Sequence, residues 1–192
     1  MAAGRKRNSL HSHRFVPYDA TFPEHEATVM SLRLTLQHRL NDAWHGTPWY
    51  GESSEAILKG ITAEEAARRL APDTHTIWQI VLHMTAWTEA VAGRVRGIGA
   101  KAPERGDWPA VESTTPEAWA TALADLATAR KQLLADVDAS HEEDIQIHVK
   151  NYSAPFADTG ISRAGTVVGL IEHDAYHIGQ IALLKRGLRA ST

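Results

Sequence analysis

Residues 163–189 read RAGTVVGLIEHDAYHIGQIALLKRGLR, and the fold turns on them. Val167, Leu170, His173, His177, Ile181 and Leu184 step by three and four residues, the spacing that lines side chains along one face of an α-helix. Two histidines thus stand on the stripe that the rest of the protein should cover. Within His173-Asp-Ala-Tyr-His177 the separation of four is close to one helical turn, so both imidazoles leave the same face and can converge on one ion. The last helix is expected over roughly Arg163 to Arg189.

Working outward from that helix, three earlier segments carry the same period. From about Glu24 to Trp44 the positions Val29, Leu32, Leu36 and Leu40 form a stripe, which ends at the breakers His45-Gly-Thr-Pro48. A second long helix is expected from about Thr76 to Arg96, with the seam Ile80, His83, Trp87 and Val91 flanked by Ile77 and Met84, and stopped by Gly97 and Gly99. In Thr115-Pro-Glu-Ala-Trp119 a capping threonine precedes a first-turn proline, and Trp119, Leu123, Leu126, Leu133 and Val137 carry a third helix to near Ser140.

Shorter pieces lie between. A helical stretch around Ser54 to Lys59 stops at Gly60, and Thr62-Ala-Glu-Glu65 has the spacing of a capping box that opens another small helix. Residues 141–162 mix charge, the alternating pair Ile145/Ile147 and Pro155, and are expected to form a connection with a short strand-like piece. Residues 1–22, polar and with a basic cluster at Arg5, Lys6 and Arg7, are expected to be a mobile N-terminal arm, leaving 23–192 as a single domain. Four long periodic segments without a strand set predict an all-α four-helix bundle with short additional helices. The 46–75 connection is long enough to carry a crossover, so up-down-up-down topology is not dictated.

Composition narrows the function classes. Of 192 residues 43% are apolar and 22% charged, and 20 basic against 23 acidic groups give a net charge of -3, so there is no electrostatic footprint for nucleic acid. No run of about eighteen apolar residues occurs, and Met1–Phe15 lacks the apolar stretch of a secretory leader, so no membrane partner and a cytoplasmic location are expected. Without cysteine, disulfides are excluded and any metal must rest on imidazole or carboxylate.

With eleven histidines, about one pair at a separation of four is expected by chance, so that pair alone is weak. His83 adds to it, being a third histidine on the seam of another long helix. Each could be a core residue satisfied by a carbonyl or carboxylate. Burying three imidazoles without partners, however, costs on the order of several kcal/mol, and coordination of a cation removes that cost. Zinc and nickel accept imidazole readily, and three neutral histidines resemble a catalytic site with an open position more than a closed structural one.

Neighbouring residues carry weaker readings. Trp87, one turn beyond His83, is a candidate wall of the metal pocket, while Trp78, Trp108 and Trp119 read as core or rim aromatics. Tyr176 either supplies a hydroxyl at the pocket or packs with its tip outward. Gln180 either hydrogen-bonds substrate or bound water, or is a buried amide satisfied by backbone. Glu172 and Asp174, about 100° to either side of His173, read as helix-surface charges unless neighbouring helices bring a ligand's outer nitrogen to them. Gly169 and Gly179 inside the helix suggest close approach of another helix. His141, His148 and Asn151-Tyr152 lie in a connection able to fold over the site.

His173-Asp-Ala-Tyr-His177-Ile-Gly-Gln180-Ile together with Ile77-Trp-Gln-Ile-Val-Leu-His83-Met-Thr-Ala-Trp87, and the stretches Trp49-Tyr-Gly and Leu58-Lys-Gly60-Ile-Thr, resemble the DinB/YfiT-like superfamily over roughly residues 24–188. The resemblance implies a four-helix bundle with a three-histidine metal centre at one end, ligated at the positions of His83, His173 and His177. It further implies one divalent ion, zinc or nickel, and a possible homodimer. Members with known activity include S-transferases and isomerases that use mycothiol or bacillithiol, and metal-dependent hydrolases. The expected function is activation of a water or a low-molecular-weight thiol toward a small-molecule substrate, in a thiol-dependent transferase or a hydrolase. The alternative is a non-catalytic, stress-associated bundle whose ion is structural.

Overall fold

The computed structural model describes residues 30–149 and 160–190. The expected N-terminal arm, the start of the first predicted helix with Val29, and Asn151-Tyr152 lie outside the described residues. Four long helices are present: α1 (Leu32–Trp44), α4 (Ile77–Val95), α5 (Pro116–Ala139) and α7 (Arg163–Ala190). Three short ones lie between them: α2 (Ser54–Leu58), α3 (Ala63–Ala67) and α6 (Glu142–Ile145). Among the described residues there is no strand, only an isolated bridge between His148 and Ser162.

Capping residues set the helix starts. Thr62 accepts from the Glu65 amide while Glu65 accepts from the Thr62 amide, and Thr76 and Gln79 repeat the arrangement at the start of α4. Thr115 accepts from the Ala118 amide, and Pro116 opens α5 with its fixed φ and no donor to satisfy. The segment expected as a strand-like piece instead makes α6, because a run of three acids, Glu142 to Asp144, favours a helix N-terminus and Ile145 is fully buried.

Two apolar clusters show how the helices run. One joins Ile77–Met84 of α4, Trp119–Leu126 of α5 and Ile178–Leu188 of α7 with α2 and α3. The other joins Leu36–Trp44 of α1, Val91–Val95, Leu133–Val137, Ala164–Leu170 and Ile145. The first halves of α4 and α5 thus share a cluster with the second half of α7, so α4 and α5 are parallel and α7 is antiparallel to both. At its start α1 meets the end of α5 and the start of α6: Arg33 pairs with Asp138 at 2.9 Å and the Leu32 amide donates to Glu142 at 2.7 Å.

The topology is therefore up-down-down-up. α4 packs on α5 and α7, and α1 packs on the same two, so α1 and α4 are diagonal partners. The crossover between them is the stretch that holds α2 and α3. Trp119 secures it by donating from Nε1 to the Ile61 carbonyl at 2.9 Å. Two parallel neighbours also demand that the chain return along their length, and residues 96–115 do so.

Candidate metal centre

His83 comes from α4 and His173 and His177 from α7, which are packed neighbours. Each offers one ring nitrogen, and these three atoms all lie within 4.8 Å of one another. His83 Nε2 and His173 Nε2 are 2.9 Å apart. Two imidazole nitrogens on one tetrahedral zinc ion, with bonds near 2.0–2.1 Å, are roughly 3.3 Å apart, so the His83–His173 pair needs a shift of a few tenths of an ångström and no pair needs more than about 1.5 Å to share one ion. No fourth His, Cys, Asp or Glu among the described residues joins the group.

The outer nitrogens show which tautomer two of these rings hold. His83 Nδ1 lies 2.6 Å from the Asp107 main-chain carbonyl, which can only accept, so the proton is on Nδ1 and the Nε2 lone pair faces the cluster. His177 Nδ1 donates to Gln180 Oε1 at 2.8 Å with the same result. Burial pushes the His177 imidazole down to about 4 and lowers that of His83 as well, in both cases chiefly because the charged form would be desolvated. Neutral imidazole is the form that binds a cation.

The return stretch before α5 closes one side. Trp108 stacks on His83 with ring centres 3.9 Å apart, and its other face stacks on His75 at 3.7 Å. Asp107 accepts from Trp87 Nε1 at 2.7 Å while its carbonyl holds His83. Beside the histidines opens a cavity of about 460 Å³, whose walls include Trp87, Val91, Leu170 and Tyr176. A larger cavity, about 660 Å³, lies against α2 and α5. It holds the His45–Glu55 pair but no group of three metal donors among the described residues, so the metal chemistry is assigned to the smaller one.

A family model for the DinB superfamily matches residues 51–181, well over half of the chain and including all three histidines. The chain belongs to the DinB superfamily. No curated protein and no solved structure matches it. In this DinB chain the histidine cluster does not sit at an end of the bundle, as the resemblance implied. It lies part-way along α4 and α7, between the two apolar clusters, because His83, His173 and His177 are interior to their helices.

Trp87 and Tyr176 both line the cavity, Trp87 as a wall and Tyr176 on the rim, where it is 65% exposed and makes an edge-to-face pair with His177. Gln180 is engaged with His177 rather than satisfied by backbone. Trp78 and Trp119 are core residues. His141 and His148 are exposed and outside the cluster.

Two readings of the sequence are corrected. Asp174 is not a helix-surface charge: it is fully buried, because α1 and α5 cover the side of α7 that it occupies. Glu172 is exposed, as a surface charge should be. Gly169 and Gly179 are not points of close approach, since a Cβ on either would meet nothing within 4 Å. Close approach occurs instead at Gly187, where a Cβ would lie 2.9 Å from Leu70. Gly169 lines the cavity, and its missing side chain adds to the space beside His173.

Sequence reasoning did not single out Asp107 and read Trp108 only as a core or rim aromatic, not as a neighbour of His83. Their only signal was an acid and an aromatic in an otherwise polar connection. No helical period marked them, since they act from a loop.

Proposed function

We propose that this DinB chain is a metal-dependent enzyme that holds one divalent ion, zinc or nickel, on His83, His173 and His177. It uses that ion on a small molecule in the adjoining cavity, as a thiol-dependent transferase or a hydrolase. The observation that carries the reading is three imidazole donors within 4.8 Å of one another, opening on a cavity and joined by no fourth protein donor among the described residues. A three-donor set leaves a coordination position for an exogenous group, the arrangement of catalytic rather than structural zinc.

When bound, the ion supplies Lewis acidity that lowers the pKa of a water or thiol toward neutrality. The chain's own residues prepare the site. Asp107 and Gln180 hold two rings in the tautomer with Nε2 unprotonated, and Trp108 covers one face of His83 and keeps water from it. The apolar walls favour a substrate with an apolar body. With no cysteine in the chain, a thiol nucleophile has to come from solution.

The test is cobalt(II) substitution followed by titration with mycothiol or bacillithiol. A new sulfur-to-cobalt charge-transfer band supports the transferase; no band, but turnover of ester or amide substrates that is lost on chelation, supports the hydrolase. A cobalt spectrum indifferent to thiol, with no metal-dependent turnover of either substrate class, supports the alternative of a structural ion.

A further inference from the structure

Two buried polar atoms beside the cluster have no hydrogen-bond partner: His173 Nδ1 and Asp174 Oδ1. They lie 3.7 Å apart, about 0.8 Å beyond an ordinary hydrogen bond. His173 is thereby the exception among the three histidines, since the outer nitrogens of His83 and His177 are both engaged.

The other oxygen of Asp174 is held from two sides of the bundle. Trp44 of α1 donates from Nε1 to Oδ2 at 3.2 Å, and Arg130 of α5 donates from Nη2 to the same atom at 3.3 Å. The Arg130 guanidinium also lies 5.2 Å from the centre of the Trp44 ring, closing the group. Exposure is 2% for Trp44, 5% for Arg130 and 0% for Asp174. An ion pair buried this deeply returns little net stability compared with apolar side chains of the same volume. Stability of the bundle is therefore a poor reason for its presence, whereas aiming a carboxylate at a histidine needs it.

We propose that Asp174 is the positioning residue for His173. With an ion on Nε2 the His173 proton moves to Nδ1, and closing the 3.7 Å gap by about 0.8 Å lets Asp174 Oδ1 accept from it and keep Nε2 directed at the point shared with His83 and His177. Trp44 and Arg130 fix the carboxylate so that only this one oxygen faces the ring. The proposal rests on the three-histidine metal reading and extends it: affinity for the ion depends on α1 and α5, which contribute none of the three histidines.

The test measures zinc affinity by competition with a chromophoric chelator. The variants are Asp174→Ala with Arg130→Met, which leaves no lone buried charge, and Asp174→Asn with Arg130→Met, which restores an acceptor oxygen on the same background; His83→Ala is the control. The alanine pair should bind zinc about 10–100-fold more weakly than the wild type, and the asparagine pair should recover most of the loss. Proton NMR of the zinc-loaded wild type should show a His173 Nδ1–H signal protected from exchange, present in the asparagine pair and missing in the alanine pair.

Zinc affinity of the alanine pair within about twofold of wild type, while His83→Ala loses it, would leave Asp174 as a helix staple only and overturn the proposal. Wild-type affinity in His83→Ala would instead remove the metal reading itself. Should the alanine pair fail to fold, the wild-type spectrum decides alone: a His173 ring protonated at Nε2, or an Nδ1–H in free exchange with water, overturns the proposal.

Discussion

His83 Nδ1 meets the main-chain carbonyl of Asp107 at 2.6 Å, so a residue of the return loop decides which nitrogen of a helix-borne histidine faces the centre of the site. A carbonyl cannot donate, and the partner is backbone, so no substitution at position 107 removes the acceptor. The contact exists because α4 and α5 run parallel, which carries the intervening chain back past His83. Topology and site chemistry are in this respect one feature.

Gln180 plays the corresponding part for His177, through a side chain that can be deleted. Gln180→Leu should leave the helical circular dichroism unchanged, since the residue is half-exposed, and weaken zinc binding about 10–100-fold. Gln180→Glu keeps an acceptor and should retain most of the affinity. Chelator competition measures both.

Removing Arg130 alone should be costly. Arg130→Met strands the Asp174 carboxylate in the core with the Trp44 Nε1 donor still in place, and losing one partner of a buried pair costs about 3–5 kcal/mol. Urea unfolding should show that loss, and adding Asp174→Ala should return most of it.

Acid sensitivity should come in part from the contact between α3 and α7. Hydrogen bonds from Arg189, with a further one from the Thr62 amide, hold the Glu65 carboxyl at about 2 against an ordinary 4.5. A carboxyl depressed on folding stabilises the native state above its unfolded value and loses that contribution as pH falls from 4.5 toward 2. Glu65→Gln should accordingly unfold at a lower temperature at pH 6 and show a flatter dependence of melting temperature on pH between 5 and 3.

Gly179 offers a gain. It is exposed in the interior of α7, and a Cβ there would meet nothing within 4 Å, so Gly179→Ala should stabilise by about 0.5–1 kcal/mol in urea unfolding. A loss would mean that something other than the described residues packs on that face.

What the sequence showed follows from where each signal lies. The long helices announced themselves through three- and four-residue spacing, and His83, His173 and His177 through their places on those stripes. Asp174 was misread because one residue beyond a ligand turns only about 100° around the helix, which leaves the face toward α4 without leaving the bundle. The sequence could not say that α1 and α5 cover that side. Asp107 and Trp108 were hidden for a different reason: a loop has no period, and their contact with His83 depends on the direction in which α5 runs. At four residues, α6 is too short for periodicity to mark it.

Whether the three imidazoles form one metal site is decided by titrating the metal-free protein with zinc, counting bound ions per chain and reading the coordination shell by X-ray absorption, in the wild type and in His83→Ala. One ion per chain is expected on three imidazole nitrogens plus an exchangeable light ligand, with affinity collapsing in the variant. Failure to bind stoichiometrically, or a shell and affinity that His83→Ala leaves unchanged, would contradict it.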